Sequence, residues 1–406
     1  MAAARAAPKT ERGVALVVVL TGIAILAAFS TEFAYRSRVD IQTASNLERR
    51  IQAYFHARSA MEIVRLVLTS QKFVDQAARA FGGGVPGLAR GHLELWRFAC
   101  KFAEVFSSSS LNFMGLEVLN LKGSPGIGVE QGGFHCEITP EDSRVNLNAA
   151  LTAADRKAMF TKLYALLRGQ VDEESIAGTG EDRKAVELIL NIMDWTDPDD
   201  ERSDIDSNGN FVQAAGAGEN VNYSKYGYRA RNAKMDSVEE VRLVEGMTDD
   251  LFCRFGRQFT VYQTDKLDVN EADLILIRAI VCDNLLNVDP VQVCGVAAAG
   301  SLAPVDMALG LLEVCRSIKR ALFTPPFSNE NEFISFFSRL PEPLNQVVQV
   351  NPTTLRPIVG TRSKVLRVTA NGWSAETGHR IEAVVDTSSL NYLSWKETGY
   401  DASASH

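Results

Sequence analysis

The stretch Arg12–Phe33, RGVALVVVLTGIAILAAFSTEF, decides how the whole chain is read. From Gly13 to Thr31 it holds no charged residue; Lys9 and Arg12 precede it, and Glu32 is the first charge after it. The eighteen residues from Val14 to Thr31 make a helix of roughly 27 Å, just enough to cross a bilayer core. Basic residues on the short N-terminal side place that end in the cytoplasm and everything after Tyr35 outside. A conventional cleaved signal needs small residues at its cleavage positions, and ILAAFS sets Leu26 where one belongs.

The apolar pattern does not stop at the membrane segment. Ala44, Leu47, Ile51, Tyr54, Met61, Val64 and Leu68 continue at steps of three, four or seven, with arginines between them, and neither Pro nor Gly interrupts Ile23 to Gln71. This predicts one helix from about Val14 to about Ser70, roughly 80 Å long, fully apolar in its first half and amphipathic in its second. Phe81–Gly91, FGGGVPGLARG, ends the helical part. LEVLNLK at Leu116 and GGFHCEI at Gly132 read as strands, and so do SKVLRVTANGW and HRIEAVVD near the C-terminus, with a turn signal at Asn371-Gly372. Between these outer pairs the pattern is mostly helical. The economical fold is α+β: a sheet domain built from both ends of the chain, with an all-α domain inserted.

The insert carries a faint repeat: RVNLNAAL, KLDVNEAD and VVQVNPTT each set a branched apolar residue before an Asn. Asn148, Asn270 and Asn351 are expected as N-caps of the helices that follow. DSVEEVRLVEGMTDDLFCRF, from Asp236, reads as helix, hairpin around Gly246, and a second helix capped by Thr248, similar to a helix-hairpin-helix unit. Glu245, Asp249 and Asp250 flank that hairpin and would repel a phosphate chain, so packing is its expected role.

A length of 406 residues leaves room for two or three domains, and a formal net charge of -8 argues against nucleic acid as a partner. The six cysteines form no CxxC pair or zinc-ligand cluster and are expected as isolated buried thiols; in an exported body Cys282 with Cys294 or Cys315 are the pairs to consider. No HExxH, GxSxG, Walker or GxGxxG motif is present, which leaves an enzyme without its parts. His135 and Cys136 are neighbours in a strand and point to opposite faces, so they are no catalytic pair.

One segment stands out chemically. Asp194–Asp206, DWTDPDDERSDID, packs seven carboxylates around Arg202, a density that repels itself unless solvated or neutralised by a cation. Pro198 and the lack of apolar periodicity make it a loop. Asp204, Asp206, Asn208 and Gly209 match the first half of an EF-hand loop, but the twelfth position is Ala215 where a bidentate Glu is required. Glu219 offers a further carboxylate downstream. From the residues alone a solvated acidic loop and a calcium site stand level.

Several of these motifs, in this order, resemble one family. Arg12-Gly13 followed directly by the apolar helix looks like the signal of type IV pilins and pseudopilins. VNLNAA, LILNIMDWTDPDDE, GAGENVNYSKYGYRARNAKMDSVEEVRLVEGMT and the SKVLRVTA strand are similar to the K-type minor pseudopilin (GspK family) of the type II secretion system, over nearly the whole chain. The resemblance implies a pilin-like αβ domain and a SAM-like insert. Its divisions would be a cytoplasmic leader at 1–13, a transmembrane part at 14–34, the amphipathic helix and first part of the αβ domain at 35–140, the all-α insert at 141–343 and completing strands at 344–406. It implies cleavage between Gly13 and Val14 by prepilin peptidase, with methylation of the new end, and calcium on Asp194, Asp197, Asp199, Asp200, Glu201 and Glu219. Asp204, Asp206 and Asn208 lie outside the family pattern, as extra ligands or a solvated insertion. Most family members carry a Glu at the fifth mature position; this chain has Val18, the K-type departure that marks a subunit at the pseudopilus tip beside the I- and J-type pseudopilins. The rival readings are a membrane-anchored adhesin or scaffold with a calcium-stabilised ectodomain, and a DNA-uptake receptor.

Overall fold

The computed structural model describes residues 11–80, 94–108, 110–113, 116–120, 132–149, 152–168, 170, 181–206, 210–262, 264, 266–295, 302–321 and 324–401. Helix α1 runs unbroken from Glu11 to Ala80, ten residues past the expected end. It is long and apolar enough to cross a membrane, and its apolar window is wholly unburied within the chain. Val14, Val18, Ile23 and Phe29 are all more than half exposed, because none of the described residues packs beside this part of the helix.

The lower half of α1 lies on a sheet. Its buried face is Ala53, Ala57, Ala60, Met61, Val64 and Leu68, spaced at four, three and one so that they share one side. Of the stripe expected from the sequence, Met61, Val64 and Leu68 are in this contact, whereas Ala44, Leu47 and Ile51 are exposed. Small residues lead the buried face because the helix backbone sits almost on the strands. After α2 (Trp96–Ser108), β1 (Ser110–Phe113) and β2 (Leu116–Asn120) form a separate hairpin, and β3 (Gly133–Pro140) enters the main sheet. Cys100 on α2 is joined to Cys136 on β3 by a disulfide.

The chain then leaves the sheet for a helical body, given by β4 (Val145–Asn146), α3 (Ala153–Leu167), α4 (Glu181–Thr196), β5 (Glu201–Ile205), β6 (Phe211–Gly218), α5 (Asp249–Phe255) and β7 (Phe259–Thr260), followed by β8 (Leu267–Asp268), α6 (Leu274–Asp283), α7 (Pro290–Cys294), α8 (Pro304–Ala321), α9 (Glu330–Ser338), α10 (Leu344–Val347), α11 (Pro352–Leu355) and β9 (Val359–Gly360). It returns as β10 (Val365–Ser374), β11 (Thr377–Asp386) and β12 (Tyr392–Asp401), giving an antiparallel sheet of order β12-β11-β10-β3. The two cores are distinct. One unites α1, α2 and the inner sheet face through Phe134, Leu366, Val368, Ala370, Ile381 and Ala383; the other runs from Val145 to Val359. Residues 344–360, assigned from the sequence to the completing strands, therefore belong to the helical body, and the chain rejoins the sheet only at Val365.

Two of the three copies of the faint repeat share one local structure, and their asparagines are not helix caps. In the first copy β4 pairs in parallel with β7, and Asn148 receives the Met235 amide at 2.8 Å while donating to the carbonyls of Met235 and Val261 at 3.0 and 2.8 Å. In the second, β8 pairs in parallel with β9, and Asn270 receives the Phe327 amide at 2.8 Å while donating to Phe327 and Thr361 at 2.9 and 3.0 Å. Each buried carboxamide thus fastens two distant segments by satisfying three backbone groups that would otherwise be orphaned. The helices behind them are capped by Thr152 and Asp273. Asn351 alone caps as expected, accepting from Thr353 at 3.0 Å. Thr248 likewise caps α5, but the segment before Gly246 is a 3-10 turn, Val238–Leu243.

Asn371-Gly372 is not a turn either. Both residues lie inside β10, which continues to Ser374, and the reversal comes at Ala375 with φ of 50°. Gly372 is needed for another reason: a Cβ there would stand 2.2 Å from the Ala57 nitrogen and 2.3 Å from the Ala53 oxygen. It is the point where strand and helix backbones meet. Four of the cysteines are not the isolated thiols expected: Cys282 and Cys294, one of the pairs considered, form a second disulfide, and Cys253 and Cys315 are free.

Candidate metal centre

Asp194 and Asp197 lie three residues apart at the C-terminal end of α4 and so share a face. The segment after them is a hairpin rather than a loop: β5 and β6 pair with Glu201 opposite Gly218, which carries Glu219 back to the end of α4. Asp194, Asp197 and Glu219 each bring an oxygen to within 4.8 Å of the others, and all three side chains are buried.

Little on the protein neutralises them. Asp194 accepts from the Ser203 amide at 3.1 Å through both oxygens. Asp197 accepts from Arg156 of α3 at 2.9 Å through Oδ2. The other Asp197 oxygen and both Glu219 oxygens are buried with no hydrogen-bond partner. Three unpaired carboxylate oxygens facing one another are costly in a medium of low polarity, and the negative end of the α4 dipole adds to the cost. Burial, reinforced by the neighbouring carboxylates, pushes Glu219 up to about 9 and Asp197 up to about 7, and burial raises Asp194. A hard divalent cation takes carboxylate oxygens as ligands and would remove this penalty. The residues present therefore fit a calcium ion.

The remaining acidic residues divide by position. Asp199, Asp200 and Glu201 are exposed. Asp199 accepts from the Glu201 amide at 2.9 Å and Asp200 from the Asn220 side chain at 2.6 Å, so they form a rim held to the hairpin and the loop after it. Asp204 accepts from its neighbour Ile205 at 2.8 Å, and Asp206 accepts from the Asn210 amide at 2.9 Å, closing the hairpin end. The half EF-hand pattern is therefore hairpin chemistry, and neither residue belongs to the buried triad; Asn208 lies outside the described residues. Arg202 pairs with Glu187 at 3.0 Å. Arg156 is the cation the sequence reading missed: it lies forty-one positions before Asp197, and no local motif links the two. Trp195 packs edge-on to Tyr223 at 5.2 Å and donates to Glu240 at 3.3 Å, anchoring the end of α4.

No family model and no curated protein matches this chain. Among solved structures it is similar to a chain in the crystal structure of the GspK-GspI-GspJ complex from the enterotoxigenic Escherichia coli type 2 secretion system. The identity is 13% and the TM-score 0.49, with 88% of this chain and 99% of that one covered. A likeness this distant carries no functional argument.

Gly13 and Val14 lie in the first turns of α1, and Val18 one turn further, 63% exposed. Among the described residues, nothing outside α1 covers this part of the helix.

Proposed function

We propose that this chain is a minor pseudopilin of the type II secretion system, K-type, a structural subunit with no catalysis of its own. The observation that carries the reading is the single helix α1, which leaves an Arg-Gly pair, runs uncharged and unburied through Val14 to Thr31, and then lays a small-residue face on an antiparallel sheet without a break. In this reading prepilin peptidase cuts between Gly13 and Val14, the new N-terminus is methylated, and Val14–Thr31 stays in the inner membrane with the body in the periplasm. The two disulfides suit such an oxidising compartment.

Val18 gives the reading its position. A carboxylate there would neutralise the N-terminal amine of a neighbouring subunit inside an apolar bundle, where an unpaired charge is costly. Val18 offers none, so the subunit takes no neighbour above it and starts the pseudopilus at its tip, together with the I- and J-type pseudopilins. The apolar residues Leu47, Ile51 and Phe55, exposed on the side of α1 away from the sheet, are the face the partner helices would cover.

The metal belongs to the same proposal. Asp194, Asp197 and Glu219 would hold calcium, with the exposed Asp199, Asp200 and Glu201 around it. Bound there, calcium supplies positive charge that joins the end of α4 to the hairpin. The test of the functional reading is the N-terminus of the chain purified from membranes. Mass spectrometry should find it methylated at Val14, and an intact Met1 would sink the pseudopilin reading in favour of an anchored scaffold. Co-purification with the I- and J-type subunits tests the partners.

A further inference from the structure

The loop that follows Glu219 has a composition unlike its surroundings. In a chain of net charge -8, and directly after a hairpin crowded with carboxylates, Asn222 to Met235 holds Lys225, Arg229, Arg231 and Lys234 and no acidic residue. It also carries three tyrosines. Tyr223 is buried against Trp195 and roots the loop. Tyr228 packs on Tyr223 at 5.8 Å and stacks on Tyr226 at 5.6 Å, and Tyr226 at the outer end is 52% exposed. Two apolar neighbours are exposed beside this stack: Val221, whose carbonyl accepts from Ser224, and Leu243, whose carbonyl accepts from Tyr228 at 2.8 Å.

The loop is also held firmly. Asn220 donates to Asp200 at 2.6 Å and accepts from the Ala230 amide at 3.1 Å, and Asn232 donates to the Asp199 carbonyl. A fixed loop that exposes stacked tyrosine has already met the ordering cost that weakens flexible binders. Of the four cations, Lys225 is bound to Glu245 and lies over the Tyr226 ring at 4.8 Å, and Arg231 is bound to Asp236 and Glu240. Arg229 and Lys234 are exposed and take part in no ion pair among the described residues.

The geometry points to a docking surface for another protein, formed by Val221, Tyr226, Tyr228 and Leu243 with Arg229 and Lys234 as its charged members. Charge complementarity selects the partner: a protein surface that presents acidic side chains together with aromatic or apolar ones. Nucleic acid has the right sign of charge but the wrong shape of charge, since a continuous phosphate chain laid on this loop would meet Asp199, Asp200 and Glu201 beside it. A short acidic patch on a protein avoids them.

The surface is tested on the full chain in detergent, with a fluorescein-labelled peptide that alternates glutamate and tyrosine, read by fluorescence anisotropy. A lysine-tyrosine peptide and a labelled oligo-dT serve as comparisons. The glutamate-tyrosine peptide should bind, with affinity falling as salt rises. Arg229→Glu combined with Lys234→Glu should weaken it about tenfold or more, Tyr226→Ala about threefold or more, and Arg229→Lys little. The three substituted positions, Tyr226, Arg229 and Lys234, are exposed, so melting temperatures should match the parent and separate lost docking from lost folding. No binding of the peptide, equal binding of the lysine-tyrosine peptide, tighter binding of oligo-dT, or full affinity in the charge-reversed variant would each overturn the inference.

Discussion

Replacing Glu219 by Gln separates the two things the buried triad is asked to do. At a separation of at most 4.8 Å, two carboxylates repel by about 3.5 kcal/mol at an effective dielectric of about 20. The metal-free protein avoids this by keeping a proton on Glu219, whose pKa is pushed up to about 9 by burial and by Asp197, Asp194, Asp199 and Asp200. Glutamine is nearly isosteric with that neutral acid. In chelator at pH 7 the melting temperature of Glu219→Gln should therefore lie within about 2 °C of the parent, a change of under about 1 kcal/mol.

Calcium should reverse the comparison. If the site binds as extracellular modules do, with a Kd of about 0.1–1 mM, then about 10 mM calcium stabilises the parent by about 1.4–2.7 kcal/mol. For a body of this size that is a rise of about 3–10 °C, read by differential scanning fluorimetry on the detergent-solubilised chain. Glu219→Gln should lose most of the rise, because its amide cannot supply the missing charge. Binding should also release about one proton at pH 7, the one held on Glu219, measurable by calorimetry in buffers of different ionisation enthalpy. A parent that melts at one temperature in chelator and in calcium refutes the metal reading. A variant that keeps the full response places the ion on the exposed rim and refutes the triad as its holder.

Other outcomes test the frame that carries the site. Gly372→Ala should destabilise by about 2–4 kcal/mol in chemical denaturation, since the new methyl meets backbone of α1 at Ala53 and Ala57, which no side-chain rotation relieves. Asn270→Ala should cost about 3–5 kcal/mol and raise hydrogen exchange at Phe327, because three backbone groups lose their partner together. Asp142 accepts from the Lys364 and Val365 amides at 2.8 Å, yet its burial raises it to about 6 from the ordinary 3.8. The folded chain therefore binds its proton more tightly than the unfolded one does. Stability should increase by on the order of 2 kcal/mol as pH falls from about 7 to about 4, and Asp142→Asn should flatten that part of the profile.

Much of the fold was legible because its signals are periodic. An uncharged run of eighteen residues, a stripe at steps of three and four, and alternation in VLRVTA and RIEAVV each report on a face the chain must bury or leave bare. What was misread has one cause: a residue whose usual local role is replaced by a long-range one. Asn148 and Asn270 look like caps because Asn before a helix usually is one, and instead they fasten segments up to 113 residues away. Gly372 follows an Asn as a hairpin turn would, and instead it lets α1 approach β10. Cys100 and Cys136 have no spacing that predicts pairing, since only the packing of α2 on β3 brings them together.

The acidic segment divides along the same line. Its excess of charge was plain, and so was the inference that a cation is one way to relieve it. Which carboxylates matter was not, because the choice depends on where a hairpin register and a helix end meet. Asp197 and Asp199 are two residues apart and chemically alike, yet one is buried with an unpartnered oxygen and the other is exposed and bonded to the Glu201 amide. The half EF-hand residues Asp204 and Asp206, left as extra ligands or a solvated insertion, accept from the Ile205 and Asn210 amides and are not in the buried triad. Glu219, distant in sequence from the acidic run, is the most strongly perturbed of them all. The proposed metal centre, drawn from a helix end and the turn after a hairpin, shows in sequence only as a surplus of like charge. Burial picks out its candidate ligands, since Asp197 and Glu219 are buried with oxygens left unpartnered and Asp194 is buried beside them.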